Sequence, residues 1–252
     1  MIRIEGERLA ALRALFSDFP GLHGAIDAVL EGVNGEAFAD DPADPRVVRL
    51  VLSDFHMVAG DPAAPGAEAA LAAVPQREFL AVPDPWVGLV WDSERPIQVS
   101  ERFAFRAPQE WDLARLWQVV AGLPQGFAVE RVTAETVTEF AALNESFVGN
   151  FRSLEHFLER GVGFAVRDVN SGALVAGCSS YAISSRSVEF EIETHRDYER
   201  RGLALVTGSK LIEWCVDAGL EACWDAAHEG SAALAERLGF VARQAYYGYR
   251  ME

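Results

Sequence analysis

The residues with the clearest capacity for chemistry lie between Ser187 and Phe240. From Val188 to Thr194, Val188, Phe190, Ile192 and Thr194 alternate with Glu189, Glu191 and Glu193, the two-residue period of a strand whose faces differ. Three carboxylates therefore share one face. Crowding of this kind raises the pKa of at least one acid, and a carboxylate titrating near neutrality can take a proton from an amine. The same acids also suit a solvated or salt-bridged strand face. Downstream, Arg200, Arg201, Gly202, Leu203 and Ala204 lead into Leu205, Val206, Ser209, Leu211, Ile212, Cys215 and Val216. That is the spacing of an amphipathic helix, closed by Gly219. A small-residue turn at a helix start presents free N–H donors, and the helix dipole also favours negative charge. A phosphate or pyrophosphate is the natural ligand there, with the Arg200 and Arg201 side chains adding to it.

Elements on both sides must position these residues. Residues 5–17 and 21–32 have helical spacing, broken at Asp18 to Gly21. Residues 46–60 read as one or two strands, and 61–74 as a loop followed by a short Ala-rich helix. Pro83 and Pro85 argue against a central strand through 79–93. Residues 97–107 alternate like a strand, and Trp111, Leu113, Leu116, Trp117 and Val120 mark a helix. Gly122 to Gly126 (GLPQG) is the best boundary candidate, because it concentrates residues that punctuate structure. Beyond it come a strand at 127–132, helical regions at 133–148 and 153–160, and strands at 162–168 and 173–182 around the turn VNSG. The acidic strand and its helix follow, then a strand at 222–226, a helix at 231–238 and a final pair of strands through Arg250. No internal repeat is visible.

Composition narrows the classes. The chain has 252 residues, half of them hydrophobic, with a formal net charge of −16. Such a surface repels nucleic acid and acidic membranes at long range and attracts a cationic small molecule. The N-terminus lacks the apolar core and cleavage site of a secretion signal. No apolar run is long enough to span a bilayer. Cys178, Cys215 and Cys223 are an odd number without metal-ligand spacing, which reads as reduced core thiols of a cytoplasmic protein with no metal site. His56, in an apolar run, reads as a core histidine and His195 as a surface one. Trp214 and Trp224 sit where packing is expected.

The element order, with Glu199-Arg200-Arg201-Gly202-Leu203-Ala204 after the fourth strand of the C-terminal half, resembles the GCN5-related N-acetyltransferase (GNAT) superfamily. EIET before that loop, WDAAH after the next strand and the closing SAALAERLGF add to the resemblance. Together with FLERGVGFAV (157–166) and DFHMVAGDP (54–62), the wording is similar to the subgroup containing the zwittermicin A resistance acetyltransferases. The resemblance implies an α+β, α/β/α sandwich fold, with a mixed, mostly antiparallel sheet flanked by helices. It divides the chain into an N-terminal α+β domain (1–124) and an acetyl-CoA-binding acyltransferase domain (125–252). It implies that the backbone of Ile192, Glu193 and Thr194 pairs with the pantetheine arm of acetyl-CoA. Arg200, Arg201, Gly202, Leu203, Ala204 and Leu205 would hold the pyrophosphate, with His228 and Ser231 beside the cofactor.

Three positions depart from the family pattern. Glu199 replaces the usual Gln or Arg, His228 replaces a common Asn, and Ala235 replaces a Tyr that protonates the departing thiolate. Tyr246, Tyr247 or Tyr249 in the last strands is a candidate replacement, and Ser231 is expected to cap the last helix through its hydroxyl. The reading that follows is an acetyl-CoA-dependent N-acetyltransferase acting on a small, cationic amine, with Glu191, Glu189 and Glu193 as candidate bases and homodimerisation allowed. A non-catalytic CoA-binding or partner-binding module, and acyl transfer to a non-amine acceptor, stay open as alternatives.

Overall fold

The computed structural model describes all 252 residues. Its first half runs β1 (Ile2–Ile4), α1 (Arg8–Ala11), α2 (His23–Leu30), β2 (Glu36–Ala39), β3 (Val47–Leu52), β4 (Phe55–Gly60), α3 (Ala67–Ala72), β5 (Phe79–Ala81), α4 (Val87–Asp92) and β6 (Ile97–Arg106). Helix α5 (Leu113–Ala121) links this to the second half, with the Asp112 carboxylate accepting from the Arg115 N–H at 3.0 Å as its N-cap. The second half runs β7 (Phe127–Arg131), α6 (Val137–Leu143), α7 (Leu154–Arg160), β8 (Gly163–Asp168), β9 (Leu174–Ile183), β10 (Ser187–Thr194), α8 (Leu203–Ala218), β11 (Glu221–Ala226), α9 (Glu229–Leu238) and β12 (Val241–Met251). Apart from the linker, the two halves repeat one order of strands and helices.

That repetition corrects the expectation of no internal repeat. All twelve strands form one mixed sheet in the order β1-β2-β3-β4-β5-β12-β6-β11-β10-β9-β8-β7. Adding six to each strand of the first half, and subtracting six in the second, returns the same order reversed. Because β6 and β12 are antiparallel at the centre, the halves are related by an approximate two-fold axis normal to the sheet. Each half also gives its last strand to the other: β12 pairs with β5, and β6 pairs with β11. The sheet is therefore continuous across the expected boundary at 124/125, and strand β6 from the first segment completes the hydrogen bonding of the second.

Other local differences have simple causes. The helix expected over 5–17 is a short α1 followed by a 3-10 turn at Leu12–Phe16. The expected final pair of strands is one strand of 11 residues. Gly248 lies in its middle, where a Cβ would stand 1.9 Å from the Phe79 ring, so this glycine makes room for an aromatic and not for a turn. A short central strand does form at Phe79–Ala81, and it ends before Pro83, where a proline would break the ladder.

Candidate active site

Strands β10 and β11 are parallel partners only from Ser187 to Glu189 and from Glu221 to Cys223. Beyond that point β11 turns to β6, pairing Trp224 to Ala226 with Phe105 to Phe103, while β10 continues along β9 to Thr194. The two strands fork. On the β9 side the His195 N–H donates to the Val175 carbonyl at 2.8 Å, so strand alternation turns the backbone groups of Phe190, Ile192 and Thr194 toward the opened side. Of these, the Thr194 N–H is held by the Glu193 carboxylate at 3.2 Å. The fork opens into a cleft of about 570 Å³, walled by residues 190–194 on one side and by Trp224, His228 and Ser231 on the other.

At the outer end of the cleft stands the start of α8. Its N-cap is Gly202, at φ +81° and without a side-chain cap, preceded by Arg200 at φ +59°. The N–H groups of Leu203, Ala204 and Leu205 lie in the first turn, where no carbonyl four residues earlier exists within the helix. Leu203 is buried and anchors the turn, while Ala204 lines the cleft and is small enough for close approach. The two arginines differ. Both are exposed, but Arg201 donates to the Asp197 carbonyl at 3.1 Å and lies over the Tyr198 ring at 5.0 Å. Glu199 lines the cleft beside them.

On the opposite wall, the Nδ1 of His228 accepts from the Ser231 N–H at 3.2 Å, so His228 caps α9. This corrects the expectation that the Ser231 hydroxyl is the cap. The Ser231 Oγ instead accepts from the Trp224 indole N–H at 3.2 Å. Trp224 packs against Phe190 and Phe240, as expected, but its edge also forms part of the cleft. Ala235 is buried in the core. None of the three candidate tyrosines lines the cleft: Tyr246 donates to Asp225 at 2.7 Å, Tyr249 is buried in a separate apolar cluster, and Tyr247 is exposed.

The three glutamates lie at three depths. Glu189 is only 3% exposed and is enclosed beneath α2, whose Gly24 N–H donates to its Oε2 at 3.1 Å. A Cβ at Gly24 would stand 2.9 Å from the Glu189 backbone nitrogen, so only glycine lets the helix approach this closely. Burial, with Asp225 nearby, pushes the Glu189 carboxyl up to about 8, and its Oε1 has no partner. Glu191 is half-buried at the fork, with the Asn144 amide donating to it over a long 3.5 Å. Burial first and the Glu193 charge second raise it to about 7, against the opposing Arg102 charge and Asn144 hydrogen bond. Glu193 is exposed at the rim.

Reading the sequence missed the residues that the first half contributes to this cleft. Arg102 of β6 donates through Nε to Asp225 at 2.7 Å and lies over the rings of Phe55 and Phe79, at 5.2 and 4.9 Å. Arg102 and Phe55 both line the cleft. No local pattern marks them, because their partners are distant in sequence.

The first half has its own fork. Strands β4 and β5 are parallel partners from Phe55 to Met57 and from Phe79 to Ala81. The Asp61 N–H donates to the Arg46 carbonyl on the β3 side at 2.9 Å, so the Gly60 carbonyl across the same peptide plane points into the gap. There it accepts from the indole N–H of Trp86 at 2.9 Å, and Trp86 is 0% exposed.

Comparison with known proteins agrees with this architecture. The GCN5-related N-acetyltransferase-like protein from Streptococcus suis is 28% identical over 98% of this chain and 99% of its own, with a TM-score of 0.85. A GCN5-related N-acetyltransferase from Kribbella flavida (16% identical, 91% and 96% covered, TM-score 0.60) shares the fold. So does a tandem GNAT protein from the clavulanic acid biosynthesis pathway (11% identical, 98% and 96% covered, TM-score 0.60). The search of curated proteins finds no match. Residues 14–249 match the family GNAT acetyltransferase, nearly the whole chain, and the protein belongs to that family.

Proposed function

We propose that this acetyltransferase moves the acetyl group of acetyl-CoA to the amine of a small cationic acceptor, with Glu191 as the proton acceptor. GNAT enzymes generally carry out acetyl-CoA-dependent acyl transfer. The residues present suit that donor: Phe190, Ile192 and the Thr194 carbonyl turn backbone groups toward one wall, in the manner of a sheet edge that takes an extra strand. The uncapped start of α8 offers N–H donors at the outer end, where Gly202, Leu203, Ala204 and Leu205 would hold the pyrophosphate with Arg200. Ile192 and Thr194 would hold the pantetheine arm, facing His228 and Ser231; the Glu193 backbone turns to β9, contrary to the expectation for it, and only its side chain borders the cleft. Acetyl-CoA supplies an acyl group already activated for attack.

The observation that carries the reading is Glu191, a half-buried carboxyl raised to about 7 at the point where the strands part. A lysine-like amine, with a pKa near ~10.4, is almost wholly protonated at neutral pH and cannot attack. A carboxylate titrating near 7 is matched to removing that proton under the same conditions. Glu193 at the rim and the net charge of −16 favour a cationic acceptor over an anionic one. Within the family, the motifs suggest kinship with the zwittermicin A resistance acetyltransferases, a further pointer to a small amine. Three buried, unpaired cysteines suit a reducing compartment, and we place the enzyme in the cytoplasm.

Calorimetric titration with acetyl-CoA, followed by a thiol-release screen over small amines, tests this. Binding with stoichiometric thiol release on a cationic amine is the expected result. Binding with release only on alcohols or other acceptors overturns the amine reading, and no binding overturns the whole.

A further inference from the structure

Acyl transfer leaves an electron pair on the departing sulfur, which needs a proton or a hydrogen-bond donor at that moment. The position where many relatives carry a tyrosine is here the buried Ala235, and Tyr246, Tyr247 and Tyr249 all lie outside the cleft. Two side chains on the α9 wall remain with a proton to give, His228 and Ser231. They sit differently. His228 is the exposed cap at the helix start, whereas the Ser231 Oγ is bonded to Trp224, the first residue of β11 after its parallel pairing with β10 ends. Ser231 lines the cleft together with Phe190, Glu191 and Trp224. The indole N–H takes one lone pair of the oxygen and leaves its O–H free to donate.

We propose that Ser231 donates a hydrogen bond to the departing CoA sulfur and stabilises the thiolate, with Trp224 orienting and polarising the hydroxyl. The proposal rests on the acetyl-transfer reading and adds to it the residue that serves the leaving group. The nitrogen–carbon bond forms as the carbon–sulfur bond breaks, and the electron pair leaves on sulfur. The Ser231 O–H holds the departing thiolate, which takes a proton from solvent. The ammonium nitrogen loses two protons, one to Glu191 before attack and one once the nitrogen–carbon bond has formed, and both pass to solvent; with one returned to sulfur, the net release is one proton and atoms and charge balance.

The test uses the full chain and compares binding of CoA with binding of CoA lacking its thiol, by calorimetry from pH 7 to pH 10. A donor aimed at sulfur favours the thiolate, so the affinity advantage of CoA over the thiol-free analogue should grow with pH in the wild type, by about tenfold for each unit by which the bound thiol's pKa falls. In Ser231→Ala that growth should disappear while the thiol-free analogue binds within about threefold of wild type, and turnover should fall by ~10²-fold, the usual worth of one placed hydrogen-bond donor. Ser231→Thr, which keeps the hydroxyl, should restore both. An equal pH response in wild type and Ser231→Ala overturns the proposal. So does loss of the response in His228→Ala with its retention in Ser231→Ala. Failure of wild type to bind either compound would instead remove the acetyl-CoA reading beneath it.

Discussion

The two forks of the sheet have the same origin and opposite outcomes. In each half a parallel strand pair holds for three residues and then parts. In the second half the gap stays open and leads to the 16-residue helix α8. In the first half the Trp86 indole fills it and satisfies the Gly60 carbonyl, the kind of group that an incoming strand-like ligand would otherwise pair. The helix beyond, α3, has only six residues, and the loop before it is DPAAPG, with two prolines and no cation. Topology alone therefore does not make a site. What distinguishes the halves is whether the side chains near the fork leave its backbone groups free.

The closed half nevertheless serves the open one. Phe55 from β4, Arg102 from β6 and Gly24 from α2 all reach the second half's fork or the acids behind it. Arg102 is the most constrained of them, holding Asp225 with an ion pair at 2.6 Å while lying over two aromatic rings. The duplicated unit has become a wall and a support for the cleft of its twin.

Replacing the plug gives the largest expected effect. Trp86→Ala removes a fully buried indole and strands the Gly60 carbonyl, and it should cost about 3–5 kcal/mol of unfolding free energy in a denaturant titration. Acetyl-CoA stoichiometry should remain one per chain, because the short α3 and its cation-free, proline-rich loop are unchanged. A variant that folds and binds two equivalents would show that one indole is all that separates the forks.

Next in size is the carboxylate at the open fork. Glu191→Gln should lower turnover with amines by ~10²-fold or more, with acetyl-CoA affinity preserved. Wild-type kcat should rise with pH through a value near 7, where the half-buried carboxyl loses its proton, and the variant should lack that limb. Glu193→Gln, at the exposed rim, should change the KM for a cationic amine more than kcat. If Gln at 189, 191 and 193 each leaves full activity, no carboxylate of this strand is the base.

Much of the open half was legible because its signals are local. The alternation from Val188 to Thr194, the Arg-Arg-Gly turn and the long amphipathic helix each occupy one continuous stretch, and α8 and β10 form where that patterning places them. The closed half was illegible for the opposite reason. Its equivalent of the strand SVEFEIET is FHMVAG, and its equivalent of HRDYERRG is DPAAPG. Strand and helix periodicity can be kept while every residue identity changes, so a duplicated fold leaves no repeated text. The contacts that join the halves are equally hidden: Arg102 and Asp225 are 123 residues apart, and Gly24 and Glu189 are 165 apart. The shared face of the three glutamates followed from the alternation. Their gradient from buried to exposed did not, because it is set by a helix from the other half.

That gradient leads to the effect that isolates what the first half does to the second. Glu189 has an ordinary pKa of 4.5 when exposed and about 8 beneath α2. Between those values the folded protein holds a proton that the unfolded chain has released, so the unfolding free energy falls as pH rises through that window. The penalty is absent below about pH 4.5, where both states are protonated, and complete above about pH 8. Glu189→Gln keeps a carbonyl for the Gly24 N–H and removes the ionisation. Its unfolding free energy relative to wild type should therefore improve from pH 5 to pH 8, with a limiting slope of roughly 1 kcal/mol per pH unit. Asp225, whose pKa is also raised by burial, helps to raise Glu189, so the difference reports the coupled pair. A difference that stays flat across the window would mean that Glu189 ionises freely under α2, and that the first half's helix does not impose the depth at which the second half's acids sit.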